Sequence, residues 1–162
     1  MEDKTAKGTE PEKFMKEAIR QAKKAEKIAE TPVGAVIVKD GAVIARGYNK
    51  RETKQNALCH AEISVINKAC KKTGSWRLTG CELYVTLEPC PMCSGAIINS
   101  RIDKVFFGAY DKKAGCCGSA ADLFQKGMFN HLPEIHGGIL ESECAGLLTG
   151  FFRRLRAEKK KK

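Results

Sequence analysis

At 162 residues, with 43% hydrophobic and 30% charged residues, the sequence has the size and composition of one soluble globular domain. No apolar run approaches the ~20 residues of a membrane-spanning helix, and the polar N-terminus lacks the apolar centre of a signal peptide. We therefore expect a cytoplasmic protein whose eight cysteines stay reduced, with a subset binding metal rather than forming a disulfide scaffold.

The net charge of +10 is uneven, because residues 151–162 carry +6 of it. A basic segment that ends a helix favours a polyanion as partner, and we expect its arginines to be functional. For the run Lys159–Lys162 alone, a solvated chain end or a cloning remnant is an equally good interpretation. The predicted globular domain spans residues 11–158, between a disordered N-terminus at 1–10 and this basic tail at 159–162.

The first predicted helix has a clear beginning and end. Thr9 and Glu12 form a capping box, and Pro11 suits the first turn. Thr31-Pro32 ends the helix. Its apolar stripe recurs at steps of three or four residues: Phe14, Ala18, Ala22, Ala25 and Ala29.

A β-hairpin follows this helix. Val33–Lys39 and Ala42–Tyr48 are rich in residues that favour strands, and Asp40-Gly41 between them suits a two-residue turn. The polar segment Asn49–Asn56 is predicted to be loop.

The rest of the chain alternates between helices and strands, which favours a layered α/β domain. The predicted elements are, in order, helix His60–Lys72, strand Cys81–Leu87, helix Pro91–Ser100, strand Lys104–Ala109, loop Asp111–Ser119, short helix Ala120–Lys126, weak strand Glu134–Ile139 and a last helix from Glu141. Ile63, Ile66 and Cys70 mark the apolar face of the helix His60–Lys72. Trp76, in the connection after this helix, is expected to pack against the body of the domain. The apolar face of the last helix is Cys144, Leu147, Leu148, Phe151 and Leu155.

Two short motifs carry the chemistry, His60-Ala61-Glu62 and Pro89-Cys90-Pro91-Met92-Cys93. Cys90 and Cys93 share a helix face, and Pro91 places both at a helix N-terminus, where the partial positive charge favours thiolates. His60 and Glu62 can converge only at the start of their helix. One imidazole and two thiolates form a three-ligand zinc set with a fourth position open for water, and Glu62 is the candidate proton carrier.

Other interpretations of these motifs stay open. A lone Cys-x-x-Cys is often half of a structural zinc site, and Cys59 is the candidate for a fourth ligand. Because adjacent residues rarely reach the same ion, we expect Cys59 to be a packed thiol. The combination of His-x-Glu before a strand and Pro-Cys-x-x-Cys directly after it is far more specific than either motif alone. It favours a catalytic site over a structural one.

The combined motif resembles the signature of the zinc-dependent base deaminases. From about Glu17 to Arg156, the sequence is most similar to the bacterial tRNA-specific adenosine deaminases, which make inosine at the wobble position. The stretches that carry this resemblance are Thr31–Val36, Gly47–Asn49, Leu83–Cys90, Ser100–Ile102, Phe107–Asp111, Lys113–Gly115, Gly138–Leu140 and Phe151–Arg153.

The resemblance implies a three-layer α/β/α cytidine deaminase-like fold with a five-stranded mixed sheet, and a homodimer. It implies one zinc ion per subunit, held by His60, Cys90 and Cys93, with Glu62 shuttling protons. The implied reaction is the hydrolytic deamination of adenosine to inosine, with the tRNA anticodon stem-loop as partner.

The resemblance also implies substrate contacts. Asn49 is expected to hydrogen-bond the flipped purine, the alternative being a turn residue at a strand end. Asp111 is expected to accept from the ribose 2′-OH, the alternative being an ordinary loop cap. Phe151 falls on the core period of its helix, so only Phe152 is a candidate for stacking. The expected contacts are Asn49, Ala61, Pro89, Asp111, Phe152, Arg153 and Arg154.

The sequence departs from the family pattern in two places. Leu58-Cys59 precedes His60 where the family usually has Thr and a small residue. Cys116-Cys117 replaces small residues near Asp111, and inert packing is favoured there over an oxidisable pair or a second weak metal site.

Two other functions are compatible with the motifs. A deaminase of a small molecule, such as guanine, cytosine or a nucleoside, needs the same zinc set but not the C-terminal arginines. A non-catalytic RNA-binding zinc module needs no carboxylate beside the ligands, so Glu62 argues against it.

Overall fold

The computed structural model describes residues 8–161 and places a five-stranded mixed sheet at the centre of the fold. The strands are β1 (Gly34–Lys39), β2 (Ala42–Tyr48), β3 (Cys81–Leu87), β4 (Lys104–Ala109) and β5 (Glu134–His136). Their order across the sheet is β2-β1-β3-β4-β5. β1 is antiparallel to β2 and β3, whereas β3, β4 and β5 are parallel to one another.

Helices cover both faces of this sheet. They are α1 (Glu10–Lys27), α2 (Arg51–Lys54), α3 (Ala61–Thr73), α4 (Pro91–Asn99) and α5 (Glu141–Lys160). α1 and α5 pack on one face, and α3 and α4 pack on the other. The expected three-layer α/β/α arrangement is therefore confirmed. Among residues 8–161, no helix combines the length and apolar character needed to cross a membrane.

Alternation along the strands builds two separate cores. In β1, Ala35 and Ile37 pack with α3 and α4, whereas Val36 and Val38 pack with α1 and α5. Because both faces are covered, the central strands are apolar on both sides, as predicted for Cys81–Leu87.

The close contact between α1 and β1 depends on Gly34. A Cβ at this position would lie 2.1 Å from the Ala18 carbonyl oxygen and 2.3 Å from the Ala22 nitrogen. Only glycine allows the helix to approach the strand this closely. At its start, α1 is capped as predicted, since Thr9 Oγ1 accepts from the Glu12 N–H at 3.4 Å. Residues 1–7 of the predicted disordered segment lie outside the described residues.

Two local predictions about secondary structure are wrong. The predicted loop Asn49–Asn56 contains the four-residue helix α2, which ends at Gln55 in the left-handed region. The predicted short helix Ala120–Lys126 is absent from the described chain. In its place, Cys117 and Asp122 form an isolated β-bridge, and the N–H groups of Ala120 and Ala121 donate to the Gly115 carbonyl.

Several predicted boundaries and faces also differ. Trp76 is 55% exposed instead of packed, and the Arg77 guanidinium lies 4.4 Å from its ring centre. The buried face of α3 is Ala61, Val65 and Ala69, with the predicted Ile66 and Cys70 at its edge. β5 has three of the six predicted residues, and α5 runs through Lys160, so half of the predicted tail is helical.

Candidate active site

Three side chains converge beyond the carboxyl end of β3. His60, Cys90 and Cys93 place their ligand atoms within 4.8 Å of one another, the one such metal-ligating group found within residues 8–161. His60 Nδ1 lies 3.6 Å from Cys90 Sγ and 3.5 Å from Cys93 Sγ. A tetrahedral zinc ion with bonds of about 2.3 Å to sulfur and about 2.05 Å to nitrogen would separate these atoms by about 3.55 Å. The observed spacing therefore fits zinc.

The starts of two helices hold these ligands. His60 is the N-cap of α3 and Cys90 is the N-cap of α4, and neither side chain caps its own helix. Cys93 is buried on the first turn of α4, which begins at Pro91. Because the cap side chains are not used within their helices, both can face the metal position.

The two candidate ligand thiols differ in how readily they lose a proton. A hydrogen bond from Cys93 lowers the pKa of Cys90 to about 4, with further help from His60, while burial acts in the opposite direction. The same Cys90–Cys93 hydrogen bond, together with burial, raises the pKa of Cys93. One thiol is thus readily ionised, and the second loses its proton when a cation takes the place of that proton.

Glu62 lies beside the ligands but is not one of them. It is on the first turn of α3, is 4% exposed and lines the cleft described below. Burial raises the pKa of its carboxyl, against the opposing effects of its own backbone N–H and of His60. A carboxyl whose pKa moves towards neutrality can both take up and release a proton.

A cleft of about 630 Å³ leads to these residues, a size typical of small-ligand sites. Three of its lining residues, Arg51, Lys112 and Lys113, are exposed and positively charged, and we call them its basic mouth. No motif predicted a role for these three side chains. The other lining residues are Thr31, Val33, Asn49, His60, Ala61, Glu62, Leu87, Glu88, Cys90, Tyr110, Asp111, Ala114, Leu148 and Phe152.

Asn49 lines the cleft while also holding a turn. Its Nδ2 donates to the Thr31 carbonyl at 3.2 Å, and its Oδ1 accepts from the Arg51 N–H at 3.1 Å. The side chain is 8% exposed. Since an amide has two N–H groups and two lone pairs, one of each remains for a ligand. The turn role and the substrate role are therefore compatible.

Asp111 likewise combines a structural role with an oxygen that a ligand could use. Its Oδ1 accepts from the N–H groups of Lys113 and Ala114 at 3.0 and 3.2 Å, which makes it a loop cap. Oδ2 makes no hydrogen bond within the described chain, and the residue lines the cleft. Of the other expected contacts, Ala61 lines the cleft, and Pro89 uses its carbonyl to accept from the Cys116 N–H at 2.9 Å.

The residues expected on the last helix divide between two places. Phe152 is 41% exposed and lines the cleft. Arg153 is exposed on α5. Arg154 instead pairs with Glu26 of α1 at 2.7 Å, so it joins two helices away from the cleft.

Glu88 is a further cleft residue for which the sequence predicted no role. Its carboxylate is 2% exposed and accepts from the N–H groups of Asp111, Cys117 and Ser119 at 3.0–3.2 Å. The Ser119 hydroxyl also donates to it. The one sequence feature that points to Glu88 is its position, a charged residue between an apolar strand and the motif Pro89-Cys90.

The remaining six cysteines lie outside this ligand group. All eight cysteines are free, and Cys59 is not part of the ligand group. Cys116 is buried, and Cys117 packs against the core on the α3 and α4 side. Burial raises the pKa of the Cys117 thiol. No second metal-ligating group appears among residues 8–161, and the inert packing of Cys116 and Cys117 stays a prediction.

Comparison with known proteins places these features in a family. Residues 9–109 match the cytidine and deoxycytidylate deaminase zinc-binding region. The chain is 56% identical over 152 residues to a tRNA-specific adenosine deaminase of Bacillus subtilis, with 94% of each protein covered.

Two solved structures are similar as well. A structure from work on A-to-I editing by tRNA:A34 deaminases at the wobble position has a TM-score of 0.81 and 43% identity, covering 84% of this chain and 99% of the other. The guanine deaminase of Bacillus subtilis has a TM-score of 0.61 and 44% identity, covering 70% and 72%. With its zinc ligands, its fold and this degree of identity, the chain belongs to the family of tRNA-specific adenosine deaminases.

Proposed function

We propose that this protein is a zinc-dependent hydrolase that converts adenosine to inosine at the wobble position of tRNA. The observation that carries the proposal is the buried carboxylate of Glu62 beside the His60, Cys90 and Cys93 group, at the base of a cleft with a basic mouth. The 56% sequence identity to the tRNA-specific adenosine deaminase of Bacillus subtilis supports the choice of substrate.

His60, Cys90 and Cys93 would hold one zinc ion per chain, and Glu62 would carry the proton. When bound, zinc supplies a Lewis acid that lowers the pKa of water and so provides the nucleophile at neutral pH. Glu62 takes the proton of the attacking water and gives it to a ring nitrogen of adenine. It then takes the remaining proton from the hydroxyl added at C6 and delivers it to the amine, which departs as ammonia while the C6 carbonyl forms.

Asn49 and Asp111 would orient the flipped nucleotide. The remaining amide N–H and lone pair of Asn49 match the mixed donor and acceptor edge of adenine. Asp111 Oδ2 would accept from the ribose 2′-OH, a group that DNA lacks. Ala61 would form part of the wall against which the base packs. The Pro89 carbonyl would act indirectly, by accepting from the Cys116 N–H of the loop that carries Asp111.

The RNA around the target base would meet the basic mouth and the last helix. Arg51, Lys112 and Lys113 can approach phosphates, and Phe152 can stack on a neighbouring base. Arg153 can reach the phosphate backbone from α5. Arg154 would contribute mainly by fixing α5 to α1, because it already pairs with Glu26.

A second candidate is a deaminase of a free nucleobase. The similarity to guanine deaminase of Bacillus subtilis favours it, since that fold accepts a small purine. The basic mouth and the exposed Phe152 favour RNA instead, because a free base carries no phosphate for them to contact.

We also propose a cytoplasmic homodimer. Eight free thiols suit a reducing compartment, and tRNA is available there. Leu58, Trp76, Met128 and Phe129 are large apolar side chains that are 46–58% exposed, and their burial against a second copy would favour association. Sedimentation at equilibrium tests the dimer, and a single-chain mass at micromolar concentration would contradict it.

The substrate is tested by an inosine assay on an anticodon stem-loop with a wobble adenosine, run beside free adenosine, guanine and cytidine. We expect turnover of the stem-loop and at least about 10²-fold lower kcat/KM for each free compound, because these lack the remote RNA contacts. Efficient turnover of guanine with no inosine formed in the stem-loop would favour the second candidate.

A further inference from the structure

The loop 111–119 forms one wall of the cleft and starts with a proposed ribose contact. Four of its residues, 111–114, line the cleft, and two of these are the lysines of the basic mouth. The loop has no regular secondary structure over these residues. Something other than helix or strand hydrogen bonds must therefore hold it in place.

One buried side chain, Glu88, accepts four of the hydrogen bonds that hold the loop. Glu88 Oε1 accepts from the Asp111 N–H at 3.1 Å and from the Ser119 hydroxyl. Its Oε2 accepts from the N–H groups of Cys117 and Ser119 at 3.0 and 3.2 Å. A single carboxylate thus gathers donors from both ends of the loop, and a charged acceptor strengthens each bond.

The loop is also packed directly on this carboxylate. A Cβ on Gly115 would lie 2.4 Å from Glu88 Cδ and 2.5 Å from the Asp111 carbonyl oxygen. No other amino acid fits there without moving the loop or the glutamate.

Residues 88–90 connect the loop to Cys90, a candidate zinc ligand. Glu88 N–H donates to the Ala109 carbonyl, and the Cys116 N–H donates to the Pro89 carbonyl, both at 2.9 Å. Cys90 follows directly. The position of the loop is therefore tied to the position of the metal site through residues 88–90.

We propose that Glu88 is a positioning residue that holds the loop 111–119, and with it Asp111, at a fixed distance from the metal site. It does not touch the reacting atoms. The identity of the substrate rests on the function proposed above, whereas the support of the loop does not.

Glu88→Gln tests the proposal because an amide replaces one acceptor oxygen by a donor. If the new NH₂ faces Cys117 and Ser119, two backbone bonds are lost. If it faces Asp111, one backbone bond is lost and the Ser119 hydroxyl can turn to accept. The second orientation is favoured, so the substitution should release Asp111 in particular.

We expect Glu88→Gln to raise KM for the stem-loop about tenfold or more, with a smaller change in kcat, while zinc content stays at one per chain. Hydrogen exchange without RNA should become faster at residues 111–119 and stay unchanged in β1. Destabilisation of the whole fold would instead reduce the active fraction and leave KM unchanged. Glu82→Gln is the matched control, because Glu82 lies on β3, the strand that leads to Glu88, and accepts only from Tyr84 Oη within the described chain.

Ser119→Ala is the second variant, since it removes one donor and keeps the carboxylate. It should raise KM a few-fold and quicken exchange in the same loop, and it decides the question if Glu88→Gln loses zinc. Wild-type exchange and KM values in both variants would overturn the proposal. If the wild-type protein does not act on the stem-loop, the proposed function fails, and the exchange data still decide the role of Glu88.

Discussion

Glu62 is the residue on which the proposed chemistry depends. It is buried, it lies two positions from a candidate ligand, and its pKa is raised by burial. Glu62→Gln keeps the size of the side chain but cannot exchange protons. We expect kcat for the stem-loop to fall by about 10²–10⁴, the usual share of general acid–base catalysis, with zinc content and RNA affinity retained. Single-turnover assays with metal analysis measure this, and retained turnover would remove Glu62 from the mechanism.

The ligand residues could be predicted from the sequence because their spacing is local. Cys90 and Cys93 share a helix start, and His60 with Glu62 shares another. The bonds of Glu88 could not be predicted, since its partners lie 23–31 positions further along the chain, where no pattern points back to it. The pairing of Arg154 with Glu26 was missed for the same reason.

At the scale of elements, the strong periodic patterns predicted four strands and the main helices correctly. The wrong predictions of secondary structure and burial are at segments whose hydrophobic periodicity is short or weak. Ala120–Lys126 contains apolar residues at helical spacing, but the bonds of Ala120 and Ala121 to Gly115 hold it in a turn. The connection that contains Trp76 does reach the core, but it does so through Leu78, which is 1% exposed, whereas Trp76 is 55% exposed.

The contact of α5 with β4 makes a prediction about alkaline stability. Cys144 of α5 is 1% exposed, and a Cβ on Gly108 of β4 would lie 2.3 Å from its sulfur. Burial raises the pKa of Cys144 from 9.0 to about 12. Since the folded pKa is the higher one, this contribution to stability is complete below about pH 9 and is lost as the pH rises towards 12.

Cys144→Ala should therefore flatten the decline of Tm between pH 9 and pH 12, after a modest loss of Tm at pH 7 from the smaller side chain. Thermal unfolding in the presence of a reductant measures both. Parallel Tm curves for the variant and the wild-type protein over this pH range would contradict the assignment.

At the scale of the whole molecule, the +10 charge is expected to act through phosphate contacts. Arg153→Gln should reduce the slope of log affinity against log salt by about 0.7–0.9, the value for one lost contact. Arg154→Gln is the structural counterpart, because loss of its exposed pair with Glu26 should reduce the free energy of unfolding by at most ~1 kcal/mol. Filter binding at several salt concentrations tests the first. An unchanged slope would place Arg153 outside the RNA interface.

The most direct test of the central claim is to sequence a full-length tRNA with adenosine at the wobble position after incubation with the zinc-loaded protein. Inosine is read as guanosine, so the product marks its own position. We predict conversion at the wobble adenosine alone, and none with Glu62→Gln. An unconverted wobble position, or equal conversion of adenosines elsewhere in the tRNA, would contradict the account.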